Sequence, residues 1–246
     1  TLDSSSSLQI TDADNTNMAS AQVKITNPVS EDVLTATGNG TISVTAYDAT
    51  TGILALSGSD TIASYVAALK TVTYLNSNTA NPSTTTRSLS WTVNDGTTDS
   101  TAVTTTISVA GVNDPPILSL VSSTMAYTEG AAATDVAAGP QIVDTDSTNL
   151  SWARVQITGN LKNTEDVLAA TSTTTIIANY NATSGLLELA GSDTKASYAA
   201  ALATVTYQNT NTTTPDTNTR TLTWTLSDGT DTNTSPPTST ITITAQ

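Results

Sequence analysis

The chain contains no cysteine, no histidine and no phenylalanine. Without thiols there is no disulfide framework, no thiolate metal site and no cysteine nucleophile. Without imidazole the commonest general base and the commonest transition-metal ligand are gone, and with them any Ser-His-Asp triad. Basic residues are few, 7 against 21 acidic ones, for a net charge of −14. Such a surface repels phosphate backbones and argues against nucleic-acid partners. No apolar run approaches the ~18 residues that span a bilayer, and no basic-then-apolar leader opens the sequence. The 246 residues that are present suffice for two domains, at roughly 100–150 residues each. Threonine alone is about a fifth of them. Carboxylates in excess over basic groups suit hard metal ions, calcium above all.

An internal repeat sets the organisation. SGSDTIASYVAALKTVTY at 57–74 matches AGSDTKASYAAALATVTY at 190–207, identical at 14 of 18 positions with a period of 133. TRSLSWTVNDG at 86–96 answers TRTLTWTLSDG at 219–229, and ITDADNTN at 10–17 answers IVDTDSTN at 142–149. SEDVLTAT near 30 has its counterpart in TEDVLAAT near 164. Each copy is a whole domain, expected at 1–114 and 115–246. The copies differ at their ends. Repeat 2 is preceded by ILSLVSSTMAYTEGAAATDVAAGP, which reads as an opening strand, whereas repeat 1 has only TLDSSSSLQ there. The pair reads as an excerpt from a longer tandem array.

Most segments alternate. Leu89, Trp91 and Val93 are separated by Ser90 and Thr92; Leu222, Trp224 and Leu226, then Ile241 and Ile243, do the same. This period places one strand face in a core and the other in water. Threonine fits the wet face, being β-branched and polar. Turn signals such as Asn94-Asp95-Gly96 and Ser227-Asp228-Gly229 punctuate the runs. The expectation is a mostly β chain of two antiparallel sandwiches. Ile62, Tyr65, Val66 and Leu69 instead follow a helical stripe, so each copy should carry one short helix, with Asp60 placed to cap the first. Trp91 and Trp224 should anchor the cores.

The set DxDxxN, EDVL, GxLxLxG, SYxxALxxVxY, TRxLxWTxxDG and VNDPP, in that order, resembles the cadherin-like tandem repeats of large bacterial surface adhesins and the related repeats of chondroitin-sulfate-proteoglycan type. The resemblance covers nearly all of both copies. It implies cadherin- or immunoglobulin-like sandwiches that are secreted to the cell surface, where they space a binding tip away from the cell or build a matrix fibre. It also implies calcium at the joints between neighbouring repeats.

Asp at i and i+2 of an extended segment sends both carboxylates to one face. Asp144 and Asp146 have that spacing, as do Asp12 and Asp14. Asn113 and Asp114 close repeat 1, and Pro115-Pro116 hold Asp114 extended. Glu129, in AYTEG, begins repeat 2. The resemblance to cadherin joints gathers Asn113, Asp114, Glu129, Asp144 and Asp146 around one inter-repeat calcium site, with Asp12, Asp14 and Asn17 as a matching half-site. The alternative for these residues is turn and cap formation alone. Glu31-Asp32 and Glu165-Asp166 suit either a second ion or a solvated loop. Arg87 and Arg220, at equivalent places, suit a structural salt bridge or a cap on loop carbonyls. Asp95 and Asp228 are explained by their hairpin turns. No nucleophile elbow or phosphate loop is present, so no enzymatic activity is expected. The other readings are a carbohydrate- or ice-binding threonine array, and a fibre subunit whose open sandwich edge is completed by a strand from another copy of itself.

Overall fold

The computed structural model describes residues 2, 8–120, 122–136 and 139–246. Thr1 and Asp3–Ser7, at the start of the first repeat, lie outside the described residues, as do Val121, Ala137 and Ala138 of the expected opening segment of the second. The chain forms two compact units, Thr1–Val112 and Asn113–Gln246. This division falls two residues before the expected 114/115 boundary, because Asn113 and Asp114 are held by side chains of the second unit.

The first module contains β1 (Asn17–Ile25), β2 (Asp32–Thr35), β3 (Ser43–Val44), β4 (Ile53–Thr61), α1 (Ile62–Lys70), β5 (Thr73–Asn76), β6 (Arg87–Asn94) and β7 (Val103–Ile107). One sheet runs β3-β4-β1-β6-β7, and β2 pairs with β5 in the other. Alternate residues point inward: Val23 and Ile25 from β1, Leu54 and Leu56 from β4, Leu89 from β6. Leu34 of β2 and the helix residues Tyr65, Ala68 and Leu69 close the core from the opposite side.

The second module contains β8 (Ile117–Ser119), β9 (Thr124–Thr128), β10 (Thr134–Asp135), β11 (Gln141–Val143), β12 (Asn149–Gly159), β13 (Asp166–Ala169), β14 (Ile177–Asn181), β15 (Leu186–Thr194), α2 (Lys195–Ala203), β16 (Thr206–Asn209), β17 (Arg220–Ser227) and β18 (Thr238–Thr244). Its large sheet runs β14-β15-β12-β17-β18-β9, faced by β10-β16-β13 and accompanied by the pair β11-β8. The mostly β, two-sandwich expectation holds. Among the described residues the pairing is antiparallel with one exception: β9 lies parallel to β18, with Thr124 opposite Thr240 and Thr128 opposite Thr244.

The two helices are nine residues each and link the large sheet to the smaller one. Their caps are Thr61 and Thr194, whose hydroxyls accept the N–H groups of Ser64 and Ser197. Asp60 is therefore not the cap. Its carboxylate accepts from the Thr41 N–H, at 2.9 Å, and from Thr61. The Tyr65 and Tyr198 hydroxyls donate back to the carbonyls of Gly58 and Gly191. At both glycines φ is positive, and a Cβ would collide with the carbonyl of Thr41 or Thr175. Trp224 is fully buried, as expected of an anchor. Trp91 is only half-buried; among the described residues no strand pairs with the outer edge of β7.

Candidate cation site at the head of the second module

Three segments meet at one end of the second module. The loop between β11 and β12 supplies Asp144 and Asp146. The turn after β17 supplies Asp228 and Asp231, and Asn113-Asp114 lead into β8. The N–H of Asp114 donates to Asp146 Oδ2 at 3.0 Å. The Asn113 amide donates to Asp228 Oδ2 at 2.8 Å and to Asp231 Oδ2 at 3.0 Å. Asp144 Oδ1 accepts from the N–H groups of Ser147 and Asp146, at 2.8 and 3.3 Å, which folds the loop into an Asx turn.

Two oxygens in this cluster stand apart. Asp144 Oδ2 and Asp146 Oδ1 are buried and have no hydrogen-bond donor. Asp144 as a residue is 7% exposed. Burial, together with the adjoining Asp146, pushes the Asp144 carboxyl above the usual aspartate range. Asp228 moves the other way. Burial opposes its charge, but the N–H groups of Asp231 and Thr230 and the Asn113 amide outweigh it and hold the carboxyl low. The ammonium of Lys195 donates to the main-chain carbonyls of Asp144 and Ser147, at 2.5 and 2.7 Å, and so props the loop from beneath. Among the described residues no three acidic side chains form a ready metal cage. The donor set nevertheless fits a hard cation: anionic oxygens with no donor, in a chain poor in basic groups.

Asn113, Asp114, Asp144 and Asp146 lie at the same end of one module. Glu129 does not. It follows β9, and its carboxylate accepts the N–H of Gln246 at 2.8 Å while its own N–H donates to Thr244. That is the far end of β18. Asp228 and Asp231 precede this seven-residue strand, so the separation is on the order of 20 Å at ~3.3 Å per residue. β8 and β9 lie between Pro116 and Glu129, and β9, parallel to β18, ends beside Thr244. Asp228 and Asp231 are the residues that sequence reasoning missed. Their available signal was the acidic pair at i and i+3, where the first repeat has Asp95 and Thr98.

At the equivalent end of the first module, Asp12 Oδ1 accepts from the N–H groups of Asn15 and Asp14, and the Asn15 amide reaches Asp95 at 2.9 Å. Those N–H groups hold Asp12 low, while the neighbouring Asp12 carboxylate pushes Asp14 up. Asp14 is exposed to water, and Asn17 opens β1.

Glu31-Asp32 and Glu165-Asp166 are neither an ion site nor a solvated loop. Arg87 Nε lies 2.9 Å from both oxygens of the fully buried Asp32, and Arg220 Nε lies 2.8 Å from Asp166. The Tyr74 and Tyr207 hydroxyls donate to the same two carboxylates. Each guanidinium also donates to a loop carbonyl, Thr85 or Asn218. Glu31 and Glu165 gather side-chain amides from Asn76 and Asn78, and from Asn209 and Asn211. Each arginine therefore clamps a long loop to the core by both expected routes, salt bridge and carbonyl cap.

No protein-family model matches the chain, and no curated protein does. Solved structures similar to it include human protocadherin-24 EC1-2, at 11% identity and a TM-score of 0.30 over 87% of this chain and 82% of that one. Drosophila N-cadherin EC1-3 aligns at 14% identity with a TM-score of 0.27, over 96% of this chain and 57% of the other. The fibronectin(III)-like modules of Clostridium thermocellum CbhA align at 13% and 0.27, over 91% and 94%. These are likenesses of general architecture, and the functional reading rests on the chain's own residues.

Proposed function

We propose that the chain is a non-catalytic spacer segment of an extracellular, tandemly repeated surface protein, and that the head of its second module takes up calcium. The observation that carries this reading is the pair of buried, donor-less oxygens on Asp144 and Asp146. Leaving such atoms dry costs about 1–3 kcal/mol each, more when the group is charged, and a divalent ion removes that cost. Asp144 and Asp146 would hold the ion, with Asp228, Asp231 and the Asn113-Asp114 segment beside it. The ion would supply charge neutralisation and fix the direction in which the chain enters the module. In an array of such repeats, each entry so fixed makes the whole a stiffer spacer between neighbouring repeats.

Isothermal titration of the chain with calcium tests this, first after chelator treatment and then in the Asp144→Asn, Asp146→Asn double variant. The reading expects saturable uptake by the wild-type chain and its loss in the double variant. Equal heats from both proteins would reject it.

A further inference from the structure

We propose that Lys195 sets the calcium affinity of the second module's head: its ammonium is a tethered cation that keeps uptake weak. The inference rests on the cation reading of Asp144 and Asp146 and names the residue that tunes that site. Arg87, Arg154, Lys162 and Arg220 all pair with carboxylates. Lys195 instead donates to two main-chain carbonyls, those of Asp144 and Ser147, at the two ends of the turn that carries the site. A carbonyl has no net charge, so these partners do not cancel the charge of Lys195.

The first module separates this charge from any part in shaping the loop. Ile62 stands at the place of Lys195, and the main-chain N–H groups make the same bond: Ile62 to the Thr16 carbonyl at 3.0 Å, Lys195 to that of Thr148 at 3.3 Å. The loops ahead of them fold alike. Asp12 Oδ1 accepts from the N–H groups of Asp14 and Asn15, at 3.1 and 2.9 Å, as Asp144 Oδ1 does from those of Asp146 and Ser147. The Asx turn therefore forms with an apolar side chain at this position and needs no ammonium to shape it. What Lys195 adds to the second module is a positive charge.

That charge acts against a divalent ion in two ways. It repels the ion, and the repulsion is strong where burial shields it from water. It also engages two main-chain oxygens of the kind that calcium takes as ligands. Preorganisation of the loop would pull the other way, but the turn already supplies it. Without an ion, the same charge offsets the repulsion between Asp144 and Asp146, whose buried Oδ2 and Oδ1 atoms have no donor. The result is a head that keeps its fold without calcium and fills only where calcium is abundant. Lys195 is half-buried beside an open groove lined by Ile142, Thr148, Thr194, Ala196 and Ala199, so its side chain can be exchanged without leaving a closed cavity.

The test is isothermal titration of the full chain with calcium after chelator treatment, comparing wild type with Lys195→Met, Lys195→Gln and Lys195→Arg. Removing the charge should tighten binding about fivefold or more in Lys195→Met, and equally in Lys195→Gln, which keeps a donor for the carbonyls. Lys195→Arg keeps the charge and should bind as wild type does, within about twofold. The gain should shrink between about 0.01 M and about 1 M salt, as the screening length falls from about 30 to about 3 Å. Loss of a mere prop would show no such salt response. Unchanged or weaker binding in Lys195→Met and Lys195→Gln, with saturable uptake by the wild type, would overturn this inference and leave the cation reading standing. No saturable uptake by the wild type or any variant would overturn both.

Discussion

The two modules share a core, a helix and an arginine clamp, yet differ at one end and along one edge. Asp144 is buried beneath the incoming Asn113-Asp114 segment, while the equivalent Asp12 is half-exposed. Lys195 supports the Asp144 loop, where the first repeat has Ile62. Trp224 is sealed by β18 and β9; Trp91 borders an open groove. The elements that match are those built from residues 10–112 and their counterparts. Those that differ involve the segment running from Asn113 to Thr128. In the second module the stretch of chain that enters it covers the head and adds β9 to the large sheet.

The largest expected effect probes what the modules share. Arg220→Ala leaves Asp166 buried without its partner, and loss of one half of such a pair costs about 3–5 kcal/mol. Arg87→Ala should cost the first module as much, because Asp32 is equally buried. Two-transition denaturation curves would check this, and markedly unequal losses would break the equivalence. The next effect probes what differs. Trp224→Ala should cost about 3–5 kcal/mol, whereas Trp91→Ala, removing a half-buried ring, should cost roughly half that by area. Equal losses would mean that the edge of the first module is already covered in solution.

Much of this was legible in the sequence, for reasons that can be named. Period-two alternation marked the strands, and the repeated arginine marked the clamp, since two of seven basic residues fell at equivalent places. The Asp144/Asp146 pair was legible as a spacing, but the two lie in an Asx-turn loop between β11 and β12 and not on one face of an extended strand. Other features were not. A turn accounts for Asp228 completely at the local level, so nothing local flags its meeting with Asn113, which lies 115 residues away. The resemblance to cadherin joints groups Glu129 with the linker, but β8 and β9 lie between them and Glu129 sits at the far end of β18. The parallel pairing of β9 depends on which edge of the sheet is free, and strand patterns do not encode that.

The ion effect should be intermediate and confined to the second module. Calcium at about a hundred times its dissociation constant would stabilise that module by ~2.7 kcal/mol, seen as a rise in the melting temperature of one transition only. The smallest effect is one of pH, measured as the difference between the wild-type chain and Asp144→Asn in chelator. The folded Asp144 carboxyl sits above its unfolded value, so the folded state holds the proton longer. Its contribution is greatest below the ordinary aspartate value and is lost as pH rises through the raised one. Calcium should abolish that slope by favouring the ionised form.

The most direct measurement is an amide NMR titration of the whole chain with calcium after chelator treatment. The account predicts saturable shifts concentrated at Asp114, Asp146, Ser147 and Asp231, with Glu129 and the Arg87 clamp unmoved. Weak, unsaturating shifts spread over acidic residues of both modules would contradict it.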